Sequence, residues 1–567
     1  MTISRADRLR ALILALSLSA TAAVAQPSDG GPDAAALSED TIFTPGPARQ
    51  AGSGPRFEVR ELNAPDLDSV GILDDRHGGL GNTLWGGTNA AIVRRLLPRL
   101  PVTDSRATRA LSRRLLLTAA AAPDKFGTDP ASLLDLRAER LAALGDSAGL
   151  AALLKTVPSA SVSPALSRIK VESLLLSGDD KGACAEIAAR GPDDPRFKVF
   201  CALSGGKVLE ANMALDLMRD RKDSDATFII AADAMAGTPP PKLDKLTALT
   251  PLHIAAFRAA KIALPPEAIP TLAPGALAAI VANPLNALEV RLLAAERAEA
   301  LGLVETDILR RLYAELTFNA AEAQLAQSQG DRTPRGRALL LRSIPAEPSP
   351  AARAGLIARV LAAATERGAF AATARLYAPL IADLTLTPDL GPSAPPLARA
   401  LIVAGRTDIA GGWLALARTD PEAAKAAKPV ALLARLAAAL TDPAPIELPP
   451  ADGLAPDAAS RRAEVLLSLL SGVGEKVPPA LWLASLRDPA IAPALVPRPA
   501  LRAMARAAAE DVRIGETVLL TLVGLGEAGL DRADPEMLNR AVTHLRMIGL
   551  EREARALAVE AALANGL

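Results

Sequence analysis

The chain has 567 residues with 63 basic and 63 acidic side chains, so its formal net charge is zero and no electrostatic footprint for DNA or RNA is visible. Half of it is hydrophobic but only 2% is aromatic, which argues against a sugar-binding cleft or a single-stranded nucleic-acid platform, since both rely on stacking. Alanine and leucine supply the apolar content, and as strong helix formers they predict an all-α chain, long enough for several domains or one repeat array.

At the N-terminus, MTISRADRLR places Arg5, Arg8 and Arg10 ahead of the apolar stretch ALILALSLSATAAV, and Ala23-Val24-Ala25 forms an A-x-A site before Gln26. This pattern predicts a cleaved secretory signal peptide over 1–25, because the apolar stretch is too short to span a bilayer. Export would place the mature chain in the periplasm. No twin-arginine pair precedes the stretch and no cysteine follows the cut, which argues against a lipid anchor. Residues 26–57, rich in Pro, Gly, Ser, Ala and Asp, read as a disordered leader. FEVRELNAPDLDSVGIL then offers a brief strand-like patch.

From Gly86 onward the pattern is a nearly unbroken series of amphipathic helices, expected to form a solenoid over 58–440. GTNAAIVRRLLPRLP is typical: Thr88 or Asn89 caps, Ile92, Val93, Leu96 and Leu97 line one face, and Pro98 ends it. Just before it, HGG (His77, Gly78, Gly79) matches the oxyanion loop of one esterase family, and downstream GDSAG, Gly145 to Gly149, matches a nucleophile elbow. An elbow needs a buried strand before the serine. Here ASLLDLRAERLAALG spaces Leu133, Leu134, Leu136, Leu141 and Leu144 among Asp135, Arg137, Glu139 and Arg140 as a solvent-faced helix. Gly145 therefore reads as a helix end, with Asp146 or Ser147 capping the next helix. His253 and His544 both fall within helical patterns, so no Ser147 triad is expected.

Asp74, Asp75 and His77 carry ligand chemistry, but three histidines in the whole chain leave no usual metal set, and a solvated turn is expected. GGLGNTLWGGT lacks the GK[ST] of a phosphate loop. Trp85, Trp413 and Trp482 read as core anchors. The two cysteines, Cys184 and Cys201, favour a disulfide over free thiols or a metal in an exported chain. The run SGDDKGACAEIAARGPDDPRFKVFCALSGG reads as helix, turn, helix, which antiparallel packing would bring together.

Ala268 to Leu288 is uncharged and long enough for a membrane span, but Pro270, Pro274, Gly275 and Pro284 break it, so a loop and a short buried helix are expected. Weaker breaks fall near LTPLH and at RSIPAEPSP. The Pro-rich 441–459 is expected to separate a C-terminal helical subdomain over 460–567.

One local pattern recurs: an apolar helix end, Gly, four residues, then Ala opening the next helix. It appears at Gly178/Ala183, Gly405/Ala410 and Gly549/Ala554, and more loosely at Gly145, Gly302 and Gly368. Gly145 and Gly178 are 33 positions apart, and Gly368 and Gly405 are 37 apart, intervals of a helix-hairpin repeat. These residues resemble the G-x-x-x-x-A turn of tetratricopeptide repeats, which implies an irregular α-solenoid of such hairpins, one curved superhelix with joints. DSVGILDDRHGGLGNTLWGGT followed by LLPRLP also resembles a group of exported Ala/Leu-rich bacterial proteins, some called antifreeze glycopeptide polyproteins. The tandem Ala-Ala-Thr units behind that name are absent, so the resemblance adds no activity.

The expectation is a periplasmic scaffold or adaptor that binds a protein or peptide partner of the cell envelope, with no catalysis, cofactor, metal or nucleic acid. Alternatives are an accessory of peptidoglycan remodelling and a Ser147 esterase. The oligomeric state is left open.

Overall fold

Prolines that punctuate the sequence turn out to start helices. In a computed structural model, which describes residues 66–567 except 129–130, 222–224, 241–245, 247, 320, 323–331, 439–444, 450–452 and 486–497, helices begin at Ser163-Pro164, Asp194-Pro195, Thr250-Pro251, Thr333-Pro334, Ser349-Pro350, Asp420-Pro421 and Asp534-Pro535. In each, the first side chain accepts a backbone N–H of the opening turn, and proline occupies a position whose own N–H would have no helical partner. The breaks expected at LTPLH and RSIPAEPSP are accordingly the starts at Pro251 and Pro350. The segments expected as signal peptide (1–25) and leader (26–57) lie outside the described residues, as do parts of 441–459.

Among the described residues every regular element is an α- or 3-10 helix, and the extended pairing present is the isolated parallel bridge between Leu73 and Thr118. The described part of the strand-like patch contains a 3-10 turn, Leu67–Ser69. Ala268 to Leu288 resolves into the 3-10 stretch Pro266–Thr271, the helix Pro274–Ala282 and the start of another, with Leu277, Ile280 and Val281 buried. No described helix is long and apolar enough to cross a membrane.

The glycine turns have a common geometry. Gly178 ends its helix at φ 85°, where any side chain is strained, and Gly145, Gly302, Gly368, Gly405 and Gly549 share that positive φ. Ala183, Ala410 and Ala554, five positions after their glycines, are fully buried, so each following helix approaches as closely as a methyl group allows.

Ala64–Leu567 is one compact unit whose helices pack in a circuit. Arg106–Leu117 lies on Leu133–Leu144, which meets Pro274–Ala282. The path continues through Leu288–Ala300, Phe370–Ala382, Ala394–Val403, Pro421–Leu436 and Glu551–Ala564, and the last of these packs back on Arg106–Leu117. Ile514–Leu525 covers both Ala90–Leu96 and Arg106–Leu117. Residues of the stretch 460–567 therefore sit directly on the first helices, which an open superhelix would hold apart.

The segment that contains DSVG and GGLGNTLWGGT fastens this circuit. Leu84 and Trp85 are buried, and the N–H of Gly515 donates to the Leu84 carbonyl (2.9 Å). The N–H groups of Ile72 and Leu73 donate to the Leu117 carbonyl, and Gly71 lies so close to Thr118 and Ala119 that a Cβ there would stand 2.3 Å from the Ala119 nitrogen. Asp68 accepts the N–H of Leu134 at the next helix start. Arg137, expected to face solvent, is instead buried. This segment and the end of Arg106–Leu117 cover it, and it donates to the carbonyls of Leu116 and Val70 (both 2.6 Å), Thr118 (3.2 Å) and Asp68 (3.3 Å). Burial draws its pKa down to about 10, so it stays charged at neutral pH.

A Cβ on Gly515 would sit 2.6 Å from the Leu84 carbonyl oxygen, whereas one on helical Gly355 meets nothing within 4 Å. Gly515→Ala is expected to destabilise by about 1–3 kcal/mol through overpacking. Gly355→Ala is expected to be neutral or to stabilise by up to about 1 kcal/mol. Urea unfolding of the two variants checks the contrast.

Candidate functional site

The serine-hydrolase motifs are turns. Gly145 closes Leu133–Leu144 in the left-handed region, and Asp146 caps Ser147–Lys155 by accepting the Gly149 N–H (2.9 Å) while pairing with Arg113 (2.7 Å). Gly145 has a second reason to be glycine: a Cβ would lie 2.5 Å from the Gly275 nitrogen, so two helices cross backbone to backbone here. The Ser147 hydroxyl makes a long 3.5 Å contact to the Gly275 carbonyl. At HGG, Asp74 accepts the N–H groups of Arg76 and His77 and lies 2.6 Å from His77 Nδ1. The bonds from His77 hold the Asp74 carboxyl below its ordinary range. Arg114 donates to the carbonyls of Gly78 and Gly79, tying this turn to the helix Arg106–Leu117.

The other histidines are built into helix packing. His253 Nδ1 accepts the Thr250 N–H (3.0 Å), which leaves Nε2 to donate to Asp225 (2.9 Å), itself paired with Arg196 (2.6 Å). His544 is buried, and burial and then Arg540 lower its pKa. Trp85 and Trp413 are buried, while Trp482 is half-buried. Among the described residues no cluster of three His, Cys, Asp or Glu is placed to hold a metal.

The most developed polar centre lies where four helices of the circuit meet, and no motif announced it. Glu299 is fully buried at the end of Leu288–Ala300. Arg375 donates to both of its carboxylate oxygens (2.7 and 3.0 Å), Thr306 donates at 2.7 Å, and Arg106 approaches at 3.4 Å while donating to the Glu299 carbonyl at 2.6 Å. From the last helix, Glu560 accepts the N–H groups of Arg106 (2.9 Å) and Ala107 (2.7 Å), placing a carboxylate on a helix N-terminus. Burial, then the neighbouring Arg375, lowers the Arg106 pKa. Burial raises the Glu560 carboxyl above its ordinary 4.5, against the bonds from Ala107, Ser105 and Arg106. These groups satisfy one another, and the arrangement is a structural lock.

A second region differs in kind. Asp180–Arg190 buries only Ala183 and Glu186, so little apolar surface holds it. Cys184 on this helix and Cys201 on Pro195–Ser204 form a disulfide, with their Cα atoms 5.5 Å apart. Arg258 adds a tie by donating to Asp180 and to the Leu175 carbonyl. The stapled helix Pro195–Ser204 carries Val208–Arg219, which packs on it through Ala211, Leu215 and Met218. The opposite face of Val208–Arg219 presents Leu209, Met213 and Leu217 to solvent, 78, 67 and 71% exposed. Sequence reading passed over this helix. The signal was available in VLEANMALDLMR, whose apolar residues fall on two faces, more than one neighbour can bury.

Compared with protein families, with curated proteins and with solved structures, the chain matches none.

Closing a loop of 17 residues by the Cys184–Cys201 bond is expected to contribute about 3 kcal/mol. Cys184→Ser/Cys201→Ser should lower the melting temperature, and a reductant should lower that of the natural chain but not of the variant. For Glu560, the folded state holds the proton more tightly than the unfolded one. Its stabilisation is therefore complete below pH 4.5 and is lost as pH rises through the raised value. Relative to Glu560→Gln, the natural chain should thus gain most stability in acid and lose that advantage toward neutrality, as urea unfolding at acid and neutral pH would report.

Proposed function

We propose that the chain is an exported, non-catalytic scaffold of tetratricopeptide-like hairpins that holds a protein partner in the cell envelope. A disulfide suits an oxidising compartment. The shared glycine turns, three of them followed by a helix packed through a buried alanine, support the hairpin reading. Two voids beside Arg106–Leu117 have room for about one water each.

The observation that carries the binding reading is the face of Leu209, Met213 and Leu217. Three large apolar side chains at i, i+4 and i+8 lie uncovered on one helix. Leaving them in water has no folding benefit, and the spacing is that by which one helix offers anchors to another. The methionine between the leucines adds an adaptable surface.

The test is in-cell cross-linking of a tagged chain, followed by identification of what is captured. Leu209→Glu/Leu217→Glu should abolish capture through this face while leaving the melting temperature nearly unchanged, since exposed substitutions shift stability by about 0.5 kcal/mol or less. An unchanged capture pattern would sink the assignment of the face. Ester hydrolysis that disappears in Ser147→Ala would overturn the non-catalytic reading.

A further inference from the structure

We infer that the partner of this face is a second copy of the chain, with the two Val208–Arg219 helices packed antiparallel about a two-fold axis through Met213. The inference rests on the reading of the face as a docking surface and names what docks there.

The spacing is the first argument. Leu209, Met213 and Leu217 form a stripe that reads the same in both directions. A two-fold axis at its centre sets Leu209 of each copy on Leu217 of the other and Met213 on Met213, so one surface is its own complement. Few other partners of the stripe need no second pattern.

Charge is the second. Lys207, Glu210, Asp216, Arg219, Asp220 and Arg221 flank the stripe, three basic and three acidic residues, so the face selects neither a cationic nor an anionic partner. Lys207 and Glu210 lie at one end, loosely paired at 3.7 Å, and Asp216, Arg219, Asp220 and Arg221 lie toward the other, where Arg219 pairs with Asp216 at 2.6 Å, so both ends are charge-balanced. Antiparallel packing opposes the two helix dipoles, whereas parallel packing would stack like ends together. The whole chain has no net charge, so no long-range repulsion keeps two copies apart.

Area is the third. The stripe and the half-exposed Val208 offer about 400 Å², within the range of patches that mark interaction sites. Counted on both copies this is about 800 Å², below the roughly 1,200 Å² at which stable interfaces begin. The association expected is weak and concentration-dependent.

The chain has no free cysteine, so a single introduced thiol reports its own neighbours. Met213→Cys in the full chain should form a disulfide-linked dimer under mild oxidation, well above the collision level set by exposed Ser177→Cys. Leu209→Cys and Leu217→Cys should each cross-link poorly alone and efficiently when mixed. In sedimentation the natural chain should show a mass that rises with concentration, and Leu217→Glu should weaken association about tenfold or more, the equivalent of 1.4 kcal/mol. A natural chain that stays monomeric, with Met213→Cys no more reactive than Ser177→Cys, overturns self-association. If Leu209→Glu/Leu217→Glu still abolishes capture of a different envelope protein in that case, the docking reading survives and the occupant is not a copy.

Discussion

A carboxylate with no exposure to water ties the helices of this fold together. Glu299 must be surrounded by donors, because an unpaired charge in the interior costs several kcal/mol. The donors come from Arg375, Arg106 and Thr306, on three different helices, and Arg106 is in turn positioned by Glu560. Satisfying one side chain therefore fixes the relative placement of Arg106–Leu117, Leu288–Ala300, Phe370–Ala382 and Glu551–Ala564. The apolar surfaces of an Ala/Leu-rich chain are interchangeable enough to pack in several registers. A polar centre with a single satisfying arrangement selects among them.

The segment before the first helix serves the same end from the outside. Gly71, Leu84 and Trp85 lie against parts of the chain that a larger or differently placed residue would push away, and Arg137 gathers carbonyls from both sides of the crossing. Motifs that look like loops for phosphate or oxyanion binding are here close backbone approaches. Gly79 and Gly145 stand against backbone that a Cβ would strike, and their N–H groups are turned inward to the carbonyls of Asp74 and Ala142.

What was legible in the sequence was local. The helix ends at Gly145 and Gly178, the cap at Asp146, the short helix within Ala268 to Leu288 and the pairing of Cys184 with Cys201 all follow from chemistry within one hairpin. Proline was half legible: it marks a boundary, but at Pro251 and Pro350 only the capping residue before it tells a start from a stop. Arg137 was misjudged because helical spacing shows which residues share a face and not how many faces are covered. The lock at Glu299 left no trace at all. Apart from Thr306, 7 positions after Glu299, its bonded partners stand 76 to 454 positions apart, and no periodicity links Arg106 to Glu560.

That separation has a kinetic consequence. Bonds between Arg106 and Glu560 close a loop of almost the whole described chain, the slowest kind of contact to find, and they cannot exist until the last helix is available. A nascent chain can form its hairpins one by one but must leave the opening N–H groups of Arg106–Leu117 without their carboxylate meanwhile. Completion of the lock therefore waits on the C-terminal helix, and a chain without it leaves the N-terminus of Arg106–Leu117 without the Glu560 carboxylate.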